Sequence, residues 1–157
     1  MTGMTSLRAL WAALPLAASL ALAATGSAAV ARDMVSIDRT EVNMRSGAGT
    51  QHEPLWLLAR GYPLQVLQRK GQWLQVQDFE RDKGWVYRPM TSAKKPHHVV
   101  KVNNANIRST PSTRGRIVGK AVRGDILATQ GRKGEWIKVK KDGSVTGWVA
   151  SRLLWGW

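Results

Sequence analysis

Two tryptophans begin stretches in which apolar and polar residues alternate, and they carry the clearest binding chemistry in this sequence. Trp73 and Trp136 each open such a stretch, and Lys138 and Lys140 follow Trp136 at every second position. Because successive side chains of a strand point to opposite faces, Trp136 and the two lysines should share one face. An exposed indole can stack on a flat or sugar-like surface while ammonium groups pair with carboxylates or phosphates. The pattern predicts a site for an anionic ligand, unless the tryptophans only cover the open end of the fold.

Both stretches belong to an internal repeat. The sequence aligns with itself without a gap when residues 42–90 are placed on residues 105–153. The offset is 63 residues, the separation of Trp73 and Trp136. Identical pairs include Asn43/Asn106, Arg45/Arg108, Arg69/Arg132, Gly71/Gly134, Trp85/Trp148 and Val86/Val149. The chain therefore encodes one small unit twice, and a residue of either unit can be compared with its counterpart.

Four further residues are candidates for binding a ligand. Arg45 and Arg108 lie at the mouth of the same loop in the two units. Their guanidinium groups could bind a ligand carboxylate or hold the loop through hydrogen bonds to its backbone. Trp56 and Tyr62 have no aromatic counterpart in the second unit. We expect them to form a more aromatic groove in the first unit or the contact between the units.

Residue types that carry hydrolytic chemistry are sparse. Hydrolysis of a polymer would need a Cys–His or Ser–His pair, a histidine-rich metal site or two convergent carboxylates. The sequence has no Cys, and its histidines are His52 in a loop and His97 and His98 in the connector between the units. The acidic loop at residues 78–82 is not preserved in the repeat. We expect a non-enzyme without metal or cofactor, with solvated histidines in the connector.

Charge is distributed unevenly over the two units. The formal net charge is +14 at pH 7. Residues 32–93 hold nine basic and seven acidic residues, a balance of +2, whereas residues 94–157 hold fourteen and three, a balance of +11. Such an asymmetry favours an anionic partner for the second unit, although a basic surface also serves solubility.

The first 31 residues are typical of a secretory signal peptide. Arg8 precedes an apolar run at residues 9–24, and small residues end in Ala29-Val30-Ala31. This arrangement predicts cleavage before Arg32. A membrane anchor is disfavoured because the run is shorter than the ~20 residues that a spanning helix needs, and it contains Pro15. We therefore expect an exported protein of the periplasm or cell envelope, with no transmembrane anchor after cleavage.

The remainder reads as short strands separated by glycine turns. Apolar residues recur at period two, and no long stretch shows the 3.6-residue period of a helix. The polar segment at residues 91–96 has the length of a connector between adjacent domains. The sequence predicts an all-β protein with two consecutive small barrels of about five strands each, at residues 32–93 and 94–157.

The repeated motifs resemble those of the bacterial Src-homology-3-like (SH3b) domain. They are NMRSG at residues 43–47, NIRSTPS at residues 106–112, the Gly-x-Trp-x-x-Val hairpins and the closing Gly-Trp-Val of both units. Residues 147–153 are also similar to the strand and short 3₁₀ turn that close such barrels. The first unit departs from the pattern at Ala48, where proline is usual. The resemblance implies two consecutive SH3-like barrels, and it places the tryptophan that opens the hairpin strand in a ligand groove.

Members of this family are mostly exported and often recognise peptidoglycan or its peptides. The resemblance therefore implies a non-catalytic module that binds peptidoglycan or another anionic envelope polymer near Trp73 and Trp136. The alternative is a scaffold that binds an envelope protein through Trp56, Tyr62 and the apolar segment at residues 153–157. Nucleic acid would suit the charge and the exposed tryptophans, but export argues against it.

Overall fold

The computed structural model describes residues 31–157, which consist of two antiparallel sheets of seven strands each. The predicted signal peptide at residues 1–31 lies, apart from Ala31, outside the described residues. Among the described residues, no helix has the length and apolar character needed to cross a membrane. The prediction of an all-β fold with two consecutive SH3-like barrels is confirmed.

The first sheet extends from Met34 to Ser92. Its strands are β1 (Met34–Ile37), β2 (Glu41–Arg45), β3 (Pro54–Ala59), β4 (Pro63–Lys70), β5 (Trp73–Gln77), β6 (Lys83–Tyr87) and β7 (Thr91–Ser92). A 3₁₀ turn, Arg88–Met90, separates β6 from β7. The strands lie in the order β3-β2-β6-β5-β4-β1-β7.

The second sheet repeats this plan. Its strands are β8 (His97–Val100), β9 (Asn104–Arg108), β10 (Ile117–Val122), β11 (Ile126–Lys133), β12 (Trp136–Lys141), β13 (Val145–Ala150) and β14 (Leu154–Gly156). The 3₁₀ turn Ser151–Leu153 precedes β14, as the motif predicted. The strand order, β10-β9-β13-β12-β11-β8-β14, matches the first sheet strand for strand. Each barrel has seven strands instead of the five predicted. The additional strands are β3 and β7 in the first barrel and β10 and β14 in the second, which also pair with their neighbours.

Side-chain alternation divides each hairpin strand between a core and an outer face. Leu74 and Val76 on β5 are buried, as are Ile137 and Val139 on β12. The residues between them are half-buried on the opposite face, where Trp73 and Trp136 begin the two rows. The predicted orientation of both strands is confirmed. Burial of these aliphatic side chains stabilises each barrel by about 1.5–3 kcal/mol per residue.

A glycine in each closing strand is required by close packing. A Cβ atom on Gly147 would lie 2.6 Å from the backbone oxygen of Arg108 and 2.7 Å from Cγ2 of Ile107. At Gly84, the counterpart, the nearest atom is Cγ of Met44 at 2.5 Å, and the backbone oxygen of Arg45 lies further away, at 3.0 Å. A methionine side chain can change rotamer, whereas a strand carbonyl is held by the sheet.

We therefore expect Gly147→Ala to lower the free energy of unfolding by about 2–3 kcal/mol, and Gly84→Ala to lower it by clearly less. Urea denaturation of the two variants measures the difference. Equal losses in the two variants would show that the carbonyl of Arg108 is not the limiting contact.

The apolar segment at residues 153–157 docks on the described barrels. Strand β14 pairs with β8, with Trp155 opposite Val99. Beyond it, the indole Nε1 of Trp157 donates a hydrogen bond to Oγ of Ser36 on β1, at 3.1 Å. The end of the second barrel thereby contacts the first barrel.

A second contact joins the barrels through a loop. The Arg123 guanidinium pairs with Glu80 at 2.7 Å and lies 5.2 Å from the centroid of the Phe79 ring. In the connector, Lys95 Nζ pairs with Asp38 at 2.5 Å. Side chains from both barrels and the connector therefore hold the two barrels together.

Candidate ligand-binding grooves

The first groove lies on the outer face of β2, β5 and β6. Trp73 and Tyr87 are cross-strand partners, and their ring centroids lie 5.4 Å apart at an angle of 52°. The groove has a volume of about 620 Å³. Its lining consists of Glu41, Val42, Asn43, Arg45, Gly49, Thr50, Gln51, Trp73, Tyr87 and Met90. It is large enough for a small ligand or a short stretch of polymer.

The second groove occupies the same place on the second barrel. Trp136 and Ala150 are cross-strand partners on β12 and β13. The groove has a volume of about 480 Å³. Its lining consists of Asn104, Asn106, Arg108, Thr113, Glu135, Trp136, Ala150, Ser151, Arg152 and Leu153.

The repeat relates the two grooves position by position. Seven residues in the lining of one groove have their counterpart in the lining of the other. The pairs are Glu41/Asn104, Asn43/Asn106, Arg45/Arg108, Thr50/Thr113, Trp73/Trp136, Tyr87/Ala150 and Met90/Leu153. Four of these pairs are identical in residue type, namely the asparagines, arginines, threonines and tryptophans. The duplicated unit therefore carries a duplicated groove with one shared set of polar and aromatic groups.

The two arginines position one wall of each groove. Arg45 Nη1 donates to the carbonyl oxygens of His52 at 2.8 Å and Thr50 at 3.3 Å. Arg108 Nη1 donates to the carbonyl oxygen of Gly115 at 2.9 Å. Both contacts fix the loop that follows β2 or β9. A guanidinium has five N–H donors, so each arginine can hold its loop and still donate to a ligand.

The grooves differ in aromatic character and charge. Tyr87 in the first groove is replaced by Ala150 in the second, which leaves Trp136 beside a smaller side chain. Lys138 lies opposite Trp148 on the outer face of the second sheet, in the row that contains Arg108. Its counterpart in the first barrel is Gln75. The first groove is thus more aromatic, and the second has more positive charge beside it.

Lys140 lies one row further from Trp136. It stands opposite Thr146 and lines a separate surface depression together with Arg60, Asp125 and Asp142. The structure therefore places Trp136, Lys138 and Lys140 on one face, but only Trp136 lines the second groove itself.

Trp56 and Tyr62 lie outside the first groove. Trp56 is 55% exposed on β3, at the edge of the first sheet. Tyr62 packs against the first core, and its hydroxyl donates to Oδ2 of Asp78 at 3.3 Å. Burial, reinforced by the negative charge of Asp78, raises the pKa of Tyr62 above its usual range. Tyr62 therefore contributes to packing beneath the acidic loop.

The acidic loop is organised by its own hydrogen bonds. Oδ1 of Asp78 accepts from the backbone N–H groups of Glu80 and Asp82, each at 2.9 Å. Burial raises the pKa of Asp78, and these two hydrogen bonds act in the opposite direction. The arrangement closes a tight turn between β5 and β6.

The expectation of solvated histidines in the connector is wrong for His98. His98 belongs to β8 and is only 4% exposed. Its Nε2 lies 2.8 Å from the Trp157 carbonyl oxygen, and its Nδ1 lies 2.6 Å from Oγ1 of Thr129. A carbonyl can only accept, so Nε2 carries the proton and the Thr129 hydroxyl donates to Nδ1. Strand β14 pairs with β8 and brings Trp157 to the ring, and no local pattern indicates this because Trp157 lies 59 residues away from His98.

Tyr87, Met90 and the two groove asparagines are site residues that inspection of single motifs missed. Tyr87 is the cross-strand partner of Trp73, and Asn43 follows the alternation of β2 to the same face as Arg45. The identity of Asn43 and Asn106 across the repeat was the signal in the sequence that pointed to the two asparagines.

Fold and grooves together define a pair of small β-barrels, each with one groove on its outer face. Models of the bacterial SH3 domain match residues 38–92 and residues 103–154. The chain consists of two consecutive bacterial SH3 domains and belongs to that family.

Known proteins share parts of this arrangement. The chain is 29% identical over 142 residues to YrvJ of Bacillus subtilis, provisionally named an N-acetylmuramoyl-L-alanine amidase. The matched region covers 84% of this chain and 26% of that protein. The chain thus spans about a quarter of the length of this curated relative. Among solved structures it is similar to NlpC1 from Trichomonas vaginalis, at 15% identity and a TM-score of 0.37, over 79% of this chain and 45% of that one. It is also similar to the endolysin LysPBC5 CBD, at 14% identity and a TM-score of 0.32, over 78% and 92%.

Proposed function

We propose that this protein is an exported, non-catalytic module that binds the bacterial cell wall, with both grooves recognising peptidoglycan or its peptides. The observation that carries the proposal is the duplicated groove, in which the same asparagine, arginine, threonine and tryptophan recur. A repeat can keep its core without keeping an identical set of outward-facing polar groups, so their recurrence favours a common ligand.

The groups in each groove suit a glycan with attached peptides. The indole of Trp73 or Trp136 offers a flat face for a sugar ring or a peptide backbone. The asparagine amide can donate to and accept from a peptide group, and the arginine can bind a free carboxylate. The relative in Bacillus subtilis supports this ligand class, because its name refers to a linkage between N-acetylmuramic acid and alanine.

The second barrel adds a charge contribution. Lys138 lies beside the row of Arg108, and the second unit carries a balance of +11. Stem peptides of peptidoglycan end in carboxylates, so the sign of this charge agrees with the ligand. Binding through the second groove should therefore weaken as salt rises.

The groove linings also favour binding without catalysis. Each lining contains a single carboxylate, Glu41 in the first groove and Glu135 in the second. Two convergent carboxylates or a nucleophile paired with a base are needed for the common hydrolytic mechanisms. Among the described residues, neither lining includes Cys or His.

Cosedimentation with purified peptidoglycan sacculi tests the proposal. We expect residues 32–157 to pellet with sacculi, to resist competition by soluble DNA, and to bind less as salt rises from low to moderate. Trp136→Ala with Lys138→Ala should reduce pelleting without changing the melting temperature. Trp56→Ala is the matched control, since Trp56 is an exposed tryptophan outside both grooves.

A scaffold that binds an envelope protein is the second candidate, and the edge strand β3 favours it. Leu55, Trp56 and Leu57 are 45%, 55% and 59% exposed on this edge. Exposed strand edges accept extended partner segments. In the second barrel the counterpart of Leu57 is Lys120, whose carbonyl oxygen accepts a hydrogen bond from Lys141 Nζ at 3.2 Å.

The same assay separates the two candidates. A protein that stays in the supernatant with sacculi at every salt concentration would contradict wall binding and favour the scaffold. Pelleting that Trp56→Ala abolishes and that the groove variant leaves intact would contradict the groove assignment.

A further inference from the structure

A small pocket at the junction of the two barrels gathers positive charge. It has a volume of about 240 Å³, and its lining includes Arg32, Arg132 and Arg152 together with Trp155 and Trp157. The other lining residues are His98, Ser151, Leu154 and Gly156, so no aspartate or glutamate side chain lies among them. No ion pair to any of the three arginines is found within residues 31–157. Three arginines thus line one pocket in which no aspartate or glutamate side chain neutralises them.

The first barrel shows what a neutralised version of this position looks like. Arg69, the counterpart of Arg132, pairs with Asp33 at 2.6 Å. The backbone around the two positions is equivalent: the carbonyl of Asp33 accepts from Val66 N–H at 2.7 Å, and that of Pro96 accepts from Thr129 N–H at 3.0 Å. The second barrel therefore keeps the arginine but has proline in place of its acidic partner.

Three other residues of the pocket have no equivalent side chain in the first barrel. Arg152 corresponds to Pro89, Trp155 to Ser92 and Trp157 to Lys94. Arg32 reaches the pocket from the first barrel, with its guanidinium carbon 5.8 Å from the centroid of the Trp155 ring. Trp157 is held by its hydrogen bonds to Ser36 and His98.

We propose that this pocket is an anion site that binds a phosphoryl group, distinct from the two grooves although it shares Ser151 and Arg152 with the lining of the second. Three guanidinium groups supply more positive charge than one carboxylate can neutralise, whereas a phosphate monoester carries −1.5 to −2 at neutral pH and three acceptor oxygens. Guanidinium forks match phosphate geometry and interact with aromatic rings, and the Arg32 guanidinium lies over the Trp155 ring. The volume accommodates one phosphoryl group with a small substituent, such as a glycerol or sugar carbon chain.

The neighbouring histidine is consistent with a positive local field. His98 touches the same pocket, and the charge of Arg132 adds to the effect of burial in lowering its pKa. The ring stays neutral at pH 7 and serves as a rigid wall. The unbalanced charge of the pocket therefore remains with the three arginines.

Isothermal titration calorimetry with inorganic pyrophosphate tests the site at low salt. We expect one saturable site per chain, with acetate binding far more weakly. Arg132→Gln should weaken pyrophosphate binding about tenfold or more, the loss expected for one charge-assisted hydrogen bond. Arg69→Gln is the matched control, because it removes the same charge from the counterpart position, where Asp33 already neutralises it.

A second variant tests the site without removing any arginine. Pro96→Asp restores the acidic residue that the first barrel has at this position, and we expect it to pair with Arg132 and to weaken pyrophosphate binding by a similar factor. Equal weakening by Arg132→Gln and Arg69→Gln, or acetate binding as tight as pyrophosphate, would overturn the proposal. So would unchanged binding in Pro96→Asp, provided that its melting temperature matches wild type.

Vesicles distinguish the possible sources of the phosphoryl group. If the protein binds phosphatidylglycerol vesicles more tightly than phosphatidylcholine vesicles, and Arg132→Gln abolishes this difference, a lipid headgroup is the source. If pyrophosphate binds and the vesicles do not, the source is a soluble or polymeric phosphate. Absence of saturable binding to both probes overturns the proposal. Trp73→Ala and Trp136→Ala should leave pyrophosphate binding unchanged, so failure here and failure of wall binding can be told apart.

Discussion

Between pH 6.5 and pH 4, the protein should lose up to about 3 kcal/mol of unfolding free energy through His98. Burial, assisted by the charges of Arg132 and His97, lowers the pKa of His98 to about 4. The hydrogen bond to the Trp157 carbonyl opposes this shift but does not cancel it. In the unfolded chain the imidazole titrates near 6.5, so below that pH the unfolded state binds the proton more strongly. The contribution of His98 is complete above pH 6.5 and is lost as the pH falls towards 4.

Urea denaturation at a series of pH values measures this loss. His98→Gln removes the titrating group and keeps an amide donor for the Trp157 carbonyl, so its stability should change much less between pH 6.5 and 4. The pKa values of Asp38 and Asp125 are lowered below 3.8, so these groups change the unfolding free energy at lower pH. They do so equally in wild type and in His98→Gln, and their effect cancels in the comparison. His97→Gln removes the smallest of the contributions that lower the pKa of His98, so it should reduce the slope only slightly. Parallel curves for wild type and His98→Gln would contradict the assignment.

Replacing both groove tryptophans should have the largest effect on binding. A central aromatic anchor contributes about 2 kcal/mol or more, so each of Trp73→Ala and Trp136→Ala should weaken binding to sacculi ~30-fold. If both grooves engage the wall at the same time and their free energies add, the double variant should lose ~1,000-fold in affinity. Binding isotherms on sacculi with labelled protein measure these values.

Folding is not expected to obscure this result. Both tryptophans lie on the outer faces of β5 and β12, while the core beneath consists of buried aliphatic residues. Trp56→Ala again serves as a control of equal chemistry. If the double variant binds as tightly as wild type while its melting temperature is unchanged, neither groove takes part in wall binding.

The repeat explains why the fold could be predicted from sequence. Alternation places Leu74 and Val76 in the core and Trp73 on the outer face, because a strand leaves only two faces to choose between. Agreement of two copies then fixed the hairpin and the closing strand. Trp136, Lys138 and Lys140 share one face, as alternation required, but the groove extends across β9 and β13 instead of along β12.

Contacts between distant residues were beyond the reach of local patterns. His98 looked like part of a solvated connector because nothing near it in sequence shows that β14 will cover it. Tyr62 looked like a groove residue because an aromatic side chain near a turn can face either way, and its hydroxyl partner Asp78 lies 16 residues later. The neutralisation of Arg69 by Asp33, and its absence at Arg132, also depends on long-range pairing between strands.

The most direct test of the paired grooves is an NMR titration of the ¹⁵N-labelled protein with soluble muropeptides released from peptidoglycan. The indole N–H signals of Trp73 and Trp136 should shift to saturation, and that of Trp56 should stay in place. Shifts at both grooves would establish that the duplicated unit carries two working sites for the wall. Shifts confined to Trp56, or no saturable shift at Trp73 and Trp136, would contradict the account and move the binding function to the exposed edge of β3.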